Sequence, residues 1–228
     1  MIEKFKENLT PYFVEDKYKM RVGPPRDGGY VILREDLTPM IYSYGVGDHT
    51  PEAEIHLLQL YNGRCKIEMF DGTIKKCSLE HPNVKFHSNN VYTFEDLSIT
   101  QSNVNVFMDI EGCEFELFDG VKDLSVFDSI RQLSVEIHFS FIDKSLEEWN
   151  SVFEKLNEKF YLVHIHGNNH SSFDGFHGLP SVIEVTYVNK NSFLRPLTEK
   201  EFRAYPLQGL DAPCLLSKSD IPLTWWCE

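Results

Sequence analysis

Long apolar runs are missing from this sequence. Residues 1–20, MIEKFKENLTPYFVEDKYKM, are charged throughout, so no signal-peptide core is expected there. No apolar stretch approaches the roughly 20 residues that a membrane-spanning helix needs. Basic runs are missing too: 22 Lys and Arg face 35 Asp and Glu, a formal charge of −13. Such a surface repels phosphate backbones and anionic lipid, so neither nucleic acid nor membrane insertion is expected of it. The five cysteines (Cys65, Cys77, Cys113, Cys214, Cys227) form no CxxC pair. That pattern suits neither a zinc ribbon nor a secreted disulfide framework and points to reduced thiols in a cytosol-like compartment. Repeats, low-complexity tracts and linkers are also absent.

What is present is an ordinary globular balance: 228 residues, 42% hydrophobic and 25% charged, enough for one α/β domain over 1–228. Ile2, Phe5 and Leu9 have helical spacing ahead of Pro11. RVGPPRDGGYVIL (21–33) is a shaped loop ending in a short strand. MIYSYGVG (40–47) reads as a strand closing on glycines, and TPEAEIHLLQLY (50–61) as a helix that Thr50 can cap. CKIEMFD, NVKFHS, NVFMDIEG, QLSVEIHF, FYLVHIHGNN and SVIEVTYVN read as further strands. EFELFDGVKDL (114–124) reads as a helix, and SLEEWNSVFEKLNEK (145–159) as an amphipathic one through Leu146, Trp149, Val152, Phe153 and Leu156. Strand and helix in alternation, with several strands apolar on both faces, argue a mostly parallel sheet with helices on both sides. Segment 1–38 then supplies an N-terminal helix and a covering segment, and 39–228 a Rossmann-like core.

In such sheets ligands bind beyond the carboxyl ends of the strands, and here those ends are polar. The first carries Gly45, Gly47 and Asp48, where a glycine turn lets a ligand approach the backbone. The spacing is not GxGxxG and no P-loop lysine follows, which weakens a dinucleotide or triphosphate reading. Asp71, ending the second strand, stands where an acid binds both ribose hydroxyls of an adenosine; alone, Asp71-Gly72 also reads as a turn pair. Asp109 and Glu111 are two apart, so an extended strand points both into one cleft. There they can chelate a metal, hold a cation or raise one another's pKa, or simply close a salt-bridged strand end. Glu136 and His138 share that spacing, as do His164 and His166. A neutral imidazole beside a substrate hydroxyl can accept its proton, which makes His138 the first candidate base and His166 the second. Asp109, Glu136 and His138 are also a donor set for magnesium or manganese, though nothing in the sequence requires a metal. Glu184 and Thr186 sit on the last strand. Tyr187, Phe193, Trp225 and Trp226 are candidates to stack on a sugar or to pack in the core.

The order RVGPPRDGGYVI, YSYGVGD, FD at Asp71, VFMDIEGCEFELFDG, VEIHF, HIHGNN and IEVTYV resembles the FkbM-type S-adenosylmethionine-dependent methyltransferases, from about Arg21 to Trp226. The narrower likeness is to methyltransferase parts of multidomain glycan-building proteins of large algal viruses, which would place it in host cytoplasm. The resemblance implies a class I, seven-stranded methyltransferase sheet whose last strand is antiparallel, with S-adenosylmethionine as cofactor. It implies that Tyr44 to Asp48 wraps the methionine part, Asp71 holds the ribose and Asn90 flanks the adenine. The DGGY segment (Asp27 to Tyr30) would close over cofactor or substrate. Arg21, Asp27, Gly28 and Asp109 would count among the cofactor-binding residues, and the Asp109/Glu111 cleft suits the ammonium and sulfonium of that cofactor. The glycine motif, Tyr44-Gly45-Val46-Gly47-Asp48, departs from the Asp/Glu-x-Gly-x-x-x-Gly common in that family, so individual contacts do not transfer directly. The implied reaction is O-methylation of a sugar or glycan hydroxyl, such as one on rhamnose. The rivals are a metal-dependent hydrolase using the Asp, Glu and His cluster and a non-catalytic Rossmann-like binding module.

Overall fold

Apolar runs with no polar face must be buried on both sides, and the centre of this protein is built that way. The structure, a computed structural model, describes residues 1–139, 143–171, 173–174, 178–192 and 196–225. Lys19–Val22 (β1) and Tyr30–Leu33 (β2) form an antiparallel hairpin. Met40–Tyr44 (β3), Lys66–Phe70 (β4), Val84–His87 (β5), Val104–Met108 (β6), Ile130–His138 (β7), Phe160–Gly167 (β8) and Val182–Asn189 (β11) form a seven-stranded sheet; Phe173–Asp174 (β9) and Leu179–Pro180 (β10) pair as a small ribbon. The strand order is β5-β4-β3-β6-β7-β11-β8. β3, β4, β5, β6 and β7 pair in parallel, and β11 runs antiparallel between β7 and β8. This is a mixed α/β architecture with a mostly parallel sheet, compatible with a Rossmann-like fold. The order reverses between β3 and β6, where such sheets open a crevice at their carboxyl ends.

Helices cover both faces, but unequally. Ile2–Asn8 (α1), Glu114–Asp119 (α3) and Leu146–Lys159 (α4) share one core with Tyr42, Val106, Val135, Ile165 and Val185. Ser145 and Glu148 close a capping box at the start of α4. Its stripe of Leu146, Trp149, Val152, Phe153 and Leu156 is buried, as the spacing indicates. Glu52–Leu60 (α2) covers the other face beneath β3 and β4 through Leu57 and Leu58, with Ile41, Ile67 and Met69. Over β7 and β11 that face is covered by the β1–β2 hairpin: the Thr186 hydroxyl donates to Val31 O at 2.7 Å, and the Gln132 side chain bonds both backbone groups of Leu33.

Several boundaries differ from the sequence reading. Thr50 does not cap α2; Pro51 takes the N-cap position, with no side-chain bond. α3 stops at Asp119, and a 3-10 turn follows over Leu124–Ser129. Tyr187 is fully buried core and offers no stacking face, while Trp225 is half-buried and packs against that core; Phe193 and Trp226 lie outside the described residues. No helix among the described residues is long and apolar enough to cross a membrane. Cys65, Cys77, Cys113 and Cys214 are unpaired.

Candidate active site

The site begins with the backbone between β3 and α2. Gly45 adopts φ +75° and Gly47 φ +65°, conformations that disfavour any side chain. A Cβ on Gly45 would stand 1.5 Å from the carbonyl oxygen of Asp109, so this glycine lets the ends of β3 and β6 touch. Gly45 N donates to Phe70 O, and Asp109 N to Tyr44 O.

Asp71, just past β4, is 7% exposed and ties this turn down. Its Oδ2 accepts from Gly47 N at 2.8 Å, and its Oδ1 accepts from the backbone N–H and hydroxyl of Thr73 at 2.7 and 2.5 Å. Burial opposes its charge, but the bonds from Thr73, Gly47 and Ile74 outweigh that and hold the carboxyl below its ordinary value. A carboxylate has about four acceptor sites, and Gly47 N, Thr73 N and the Thr73 hydroxyl occupy three of them.

Two adjoining clefts open here and share Gly45, His49 and Asp109. One, about 1040 Å³ with its open mouth, is lined by Gly45, Gly47, Asp48, Asp71, Asn90 and Asp109, among others. The other, about 570 Å³ on the same measure, lies under the hairpin loop and includes Asp27, Gly28, Tyr44 and the buried Glu54. Burial raises the Glu54 carboxyl, and the Ser43 hydroxyl donates to it. Every residue singled out for cofactor binding thus lines one of the two clefts except Arg21. Arg21 is a strut for its own loop, donating to Pro24 O at 2.9 Å and Arg26 O at 2.8 Å.

The acids of the DIEG run meet by a different route from the one expected. β6 ends at Met108, so Asp109 and Glu111 do not share an extended strand. Instead the chain turns, with Glu111 at φ +53° and Gly112 at φ +98°. The turn carries Glu111 to 3.6 Å from His138 Nε2. Ligand atoms of Asp109, Glu111 and His138 fall within 4.8 Å of one another.

The organiser of this turn is Glu114, which the sequence reading did not single out. Its side chain is fully buried. It accepts from Ile110 N and Gly112 N, and at 3.4 Å from His138 N. Its Oε1 also lies 3.4 Å from His138 Nδ1, an ion-pair contact rather than an aligned hydrogen bond. Burial lowers the His138 pKa, but Glu114, with Asp109 and Glu111, prevails and raises it. Asp109 is pushed from 3.8 up to about 7, first by burial and then by Glu111, Glu114 and Asp27, with His138 opposing. Its buried Oδ1 has no hydrogen-bond partner among the described residues.

Glu136, Glu184 and His166 stand in register across β7, β11 and β8. Because β11 is antiparallel, the early residue Glu184 lies at the carboxyl ends of its neighbours. Glu136 Oε1 accepts from Asn168 at 2.9 Å, and burial with Asp109, Glu184 and Asp27 raises its pKa well above the ordinary value.

His166 is not placed to act as a base. It is 1% exposed, with Nδ1 at 2.9 Å from Glu184 and Nε2 at 2.9 Å from Asp220. Burial opposes its charge, but those carboxylates hold it strongly protonated. His164 is likewise buried and bonded to Asp211. Both histidines fasten the C-terminal segment to the sheet.

No family model matches the chain, and no curated protein matches it. Among solved structures it is similar to bluetongue virus VP4, described as a multifunctional RNA-capping production line, with a TM-score of 0.37 and 12% identity. The match covers 77% of this chain and 28% of that one, so the chain spans little more than a quarter of that protein. A likeness at this score carries no argument, and the FkbM-type resemblance rests on the motifs quoted for it.

Proposed function

We propose that this chain is an S-adenosylmethionine-dependent O-methyltransferase of the class I, FkbM-type kind, with a sugar or glycan hydroxyl as acceptor. The observation that carries the reading is one cleft, at the point where the strand order reverses, that joins the glycine turn and Asp71 to Asp109. The antiparallel β11 beside β7 is the topology that the resemblance implies.

The residues fit the cofactor. Gly45 and Gly47 line the cleft in a positive-φ turn that disfavours any side chain, and the unpartnered Asp109 Oδ1 offers a carboxylate oxygen to a cationic group. S-adenosylmethionine supplies an electrophilic methyl group when bound. Asp71 shapes the Gly47 turn, and it would hold a ribose hydroxyl of the cofactor. Glu114 turns His138 so that Nε2 faces Glu111 at 3.6 Å and Glu136 at 3.7 Å. From there His138 accepts the proton of the acceptor hydroxyl, and the surrounding carboxylates stabilise the resulting imidazolium. Holding hydroxyl and base in line removes much of the entropic barrier.

Magnesium or manganese suits Asp109, Glu111 and His138 better than the set with Glu136, whose Oε1 is engaged by Asn168. The same triad supports the metal-dependent hydrolase reading.

Calorimetry with S-adenosylhomocysteine, with and without magnesium or manganese, tests the proposal. Micromolar binding supports it, and a metal-dependent affinity points to the triad. Absence of binding under every condition overturns it and favours the hydrolase.

A further inference from the structure

A second concave surface lies behind the cofactor cleft, and its chemistry is different. The chain passes from β4 to β5 through residues 71–83 and from β5 to β6 through 88–103 without an α-helix; the second connection holds only a 3-10 turn at Phe94–Leu97. Parallel strands are ordinarily joined by helices that cover the sheet. Here one face of β3, β4 and β5 is left as a groove of about 1650 Å³ with its open mouth, lined by strand and loop residues and no helical one.

Register sets out the floor in two rows. Phe70 and His87 are neighbours across β4 and β5 with ring centroids 4.5 Å apart, and the buried Tyr44 stacks beside Phe70 at 5.0 Å without lining the groove. Tyr42, Glu68 and Lys85 form the next row. Arg64, Lys66 and Lys85 are exposed along the groove. The acid between them, Glu68, is engaged by His87 at 2.7 Å and Lys85 at 3.5 Å. Arg64 and Lys66 have no ion-pair partner among the described residues. In a chain of net charge −13, a groove with unpaired cations selects an anionic occupant.

Two features narrow the class. Tyr42 and Phe70 are 2% and 5% exposed, so their ring faces are closed to stacking bases, the usual basis of single-stranded nucleic-acid binding. The lining also includes amides and hydroxyls, Asn83, Asn89, Ser98, Thr100 and Gln101, which suit sugar hydroxyls. The overall negative charge also disfavours a long polyanion over a short one. We propose that this groove is a binding site for a short anionic oligosaccharide, with acid groups on Arg64, Lys66 and Lys85 and hydroxyls on the polar lining. It adjoins the cofactor cleft through Phe70 and Asn89 but does not depend on the methyltransferase reading.

The test is calorimetry of the whole chain with a heparin-derived hexasaccharide, neutral maltohexaose and a short poly-uridine RNA. The variants are the double charge reversal Lys66→Glu/Lys85→Glu and the control Lys122→Glu, an exposed lysine after α3. The sulfated hexasaccharide is expected to bind, to weaken at least tenfold in the double variant and in high salt, and to be unaffected in the control. An unchanged melting temperature shows that the double variant is folded. The proposal is overturned by no binding of the hexasaccharide, by equal loss in the control, by equal binding of maltohexaose, or by tighter binding of the RNA. Loss of S-adenosylhomocysteine binding alone would sink the methyltransferase reading and leave this one standing.

Discussion

Glu114 Oε1 lies 3.4 Å from His138 Nδ1, and the same carboxylate accepts from the backbone of Ile110, Gly112 and His138. One buried group therefore shapes the turn that carries Glu111 and orients the ring that Glu111 faces. An acid at Nδ1 turns Nε2 toward the cleft side of the ring, where Glu111 and Glu136 stand 3.6 and 3.7 Å away, the orientation a proton acceptor needs.

Glu114→Gln separates this orienting role from a purely structural one. The charge that helps raise the His138 pKa is removed while the shape is kept, so that pKa should fall toward its ordinary value. Ring-proton NMR titration of His138 in both proteins reads it directly. An unmoved His138 would mean the contact has no electrostatic effect. An amide offers one acceptor oxygen where the carboxylate serves several N–H groups, so stability should also drop by about 1–3 kcal/mol in a denaturant titration.

His138→Ala should lower turnover far more than affinity for S-adenosylhomocysteine, by about 10²–10⁴-fold for loss of a general base. Wild-type turnover should rise with pH through the raised His138 pKa, because only the neutral ring accepts a proton. A pH–rate profile on an identified acceptor checks both. Unchanged turnover in the variant would remove His138 from the chemistry.

Much of this was legible in the sequence, for identifiable reasons. The α4 stripe and its Ser145/Glu148 box are local patterns, and local patterns decide where a helix starts and which face it buries. The apolar runs of β3, β4, β6 and β7 are equally local. The end of β6 is not: it turns at Asp109 because that residue's carbonyl packs on Gly45 and its N–H bonds Tyr44, contacts from a distant strand. Asp109 and Glu111 thus come together through a turn and not through the extended strand their spacing suggests. His166 and His164 looked like their neighbour His138 because their carboxylate partners, Asp220 and Asp211, come 54 and 47 residues later. Glu114 had a faint signal, an acid two residues after Gly112, but an acid in a first helical turn is ordinarily read as a dipole partner.

Asp71→Ala should weaken S-adenosylhomocysteine binding and also destabilise the protein, because the carboxylate holds Gly47 and Thr73 as well as facing the cleft. Its folded pKa lies below the ordinary value of 3.8. The stability it contributes is therefore complete above pH 4 or so and is lost as pH falls through the folded value. The gap in melting temperature between wild type and variant should be full at pH 7 and shrink toward pH 3. Normal ligand affinity in a folded variant would sink the ribose assignment.

Asp109 has the opposite sign. Its pKa is raised from 3.8 to about 7, so between those values the folded protein holds a proton that the unfolded chain releases. Stability from this group is complete below about pH 4, declines as pH rises, and levels off above about 7. At pH 8 the native state carries a buried charge among Glu111, Glu114 and Asp27, and Asp109→Asn removes it. The variant should melt a few degrees higher than wild type at pH 8, on the order of 1–2 kcal/mol, and show no such advantage at pH 4. On the methyltransferase reading it should also lose turnover, because the oxygen proposed to face the cationic cofactor would lose its charge. A scan of melting temperature from pH 4 to 8 on both proteins decides it. A constant difference across the range would mean that Asp109 does not take up a proton on folding and that its cost, if any, is steric.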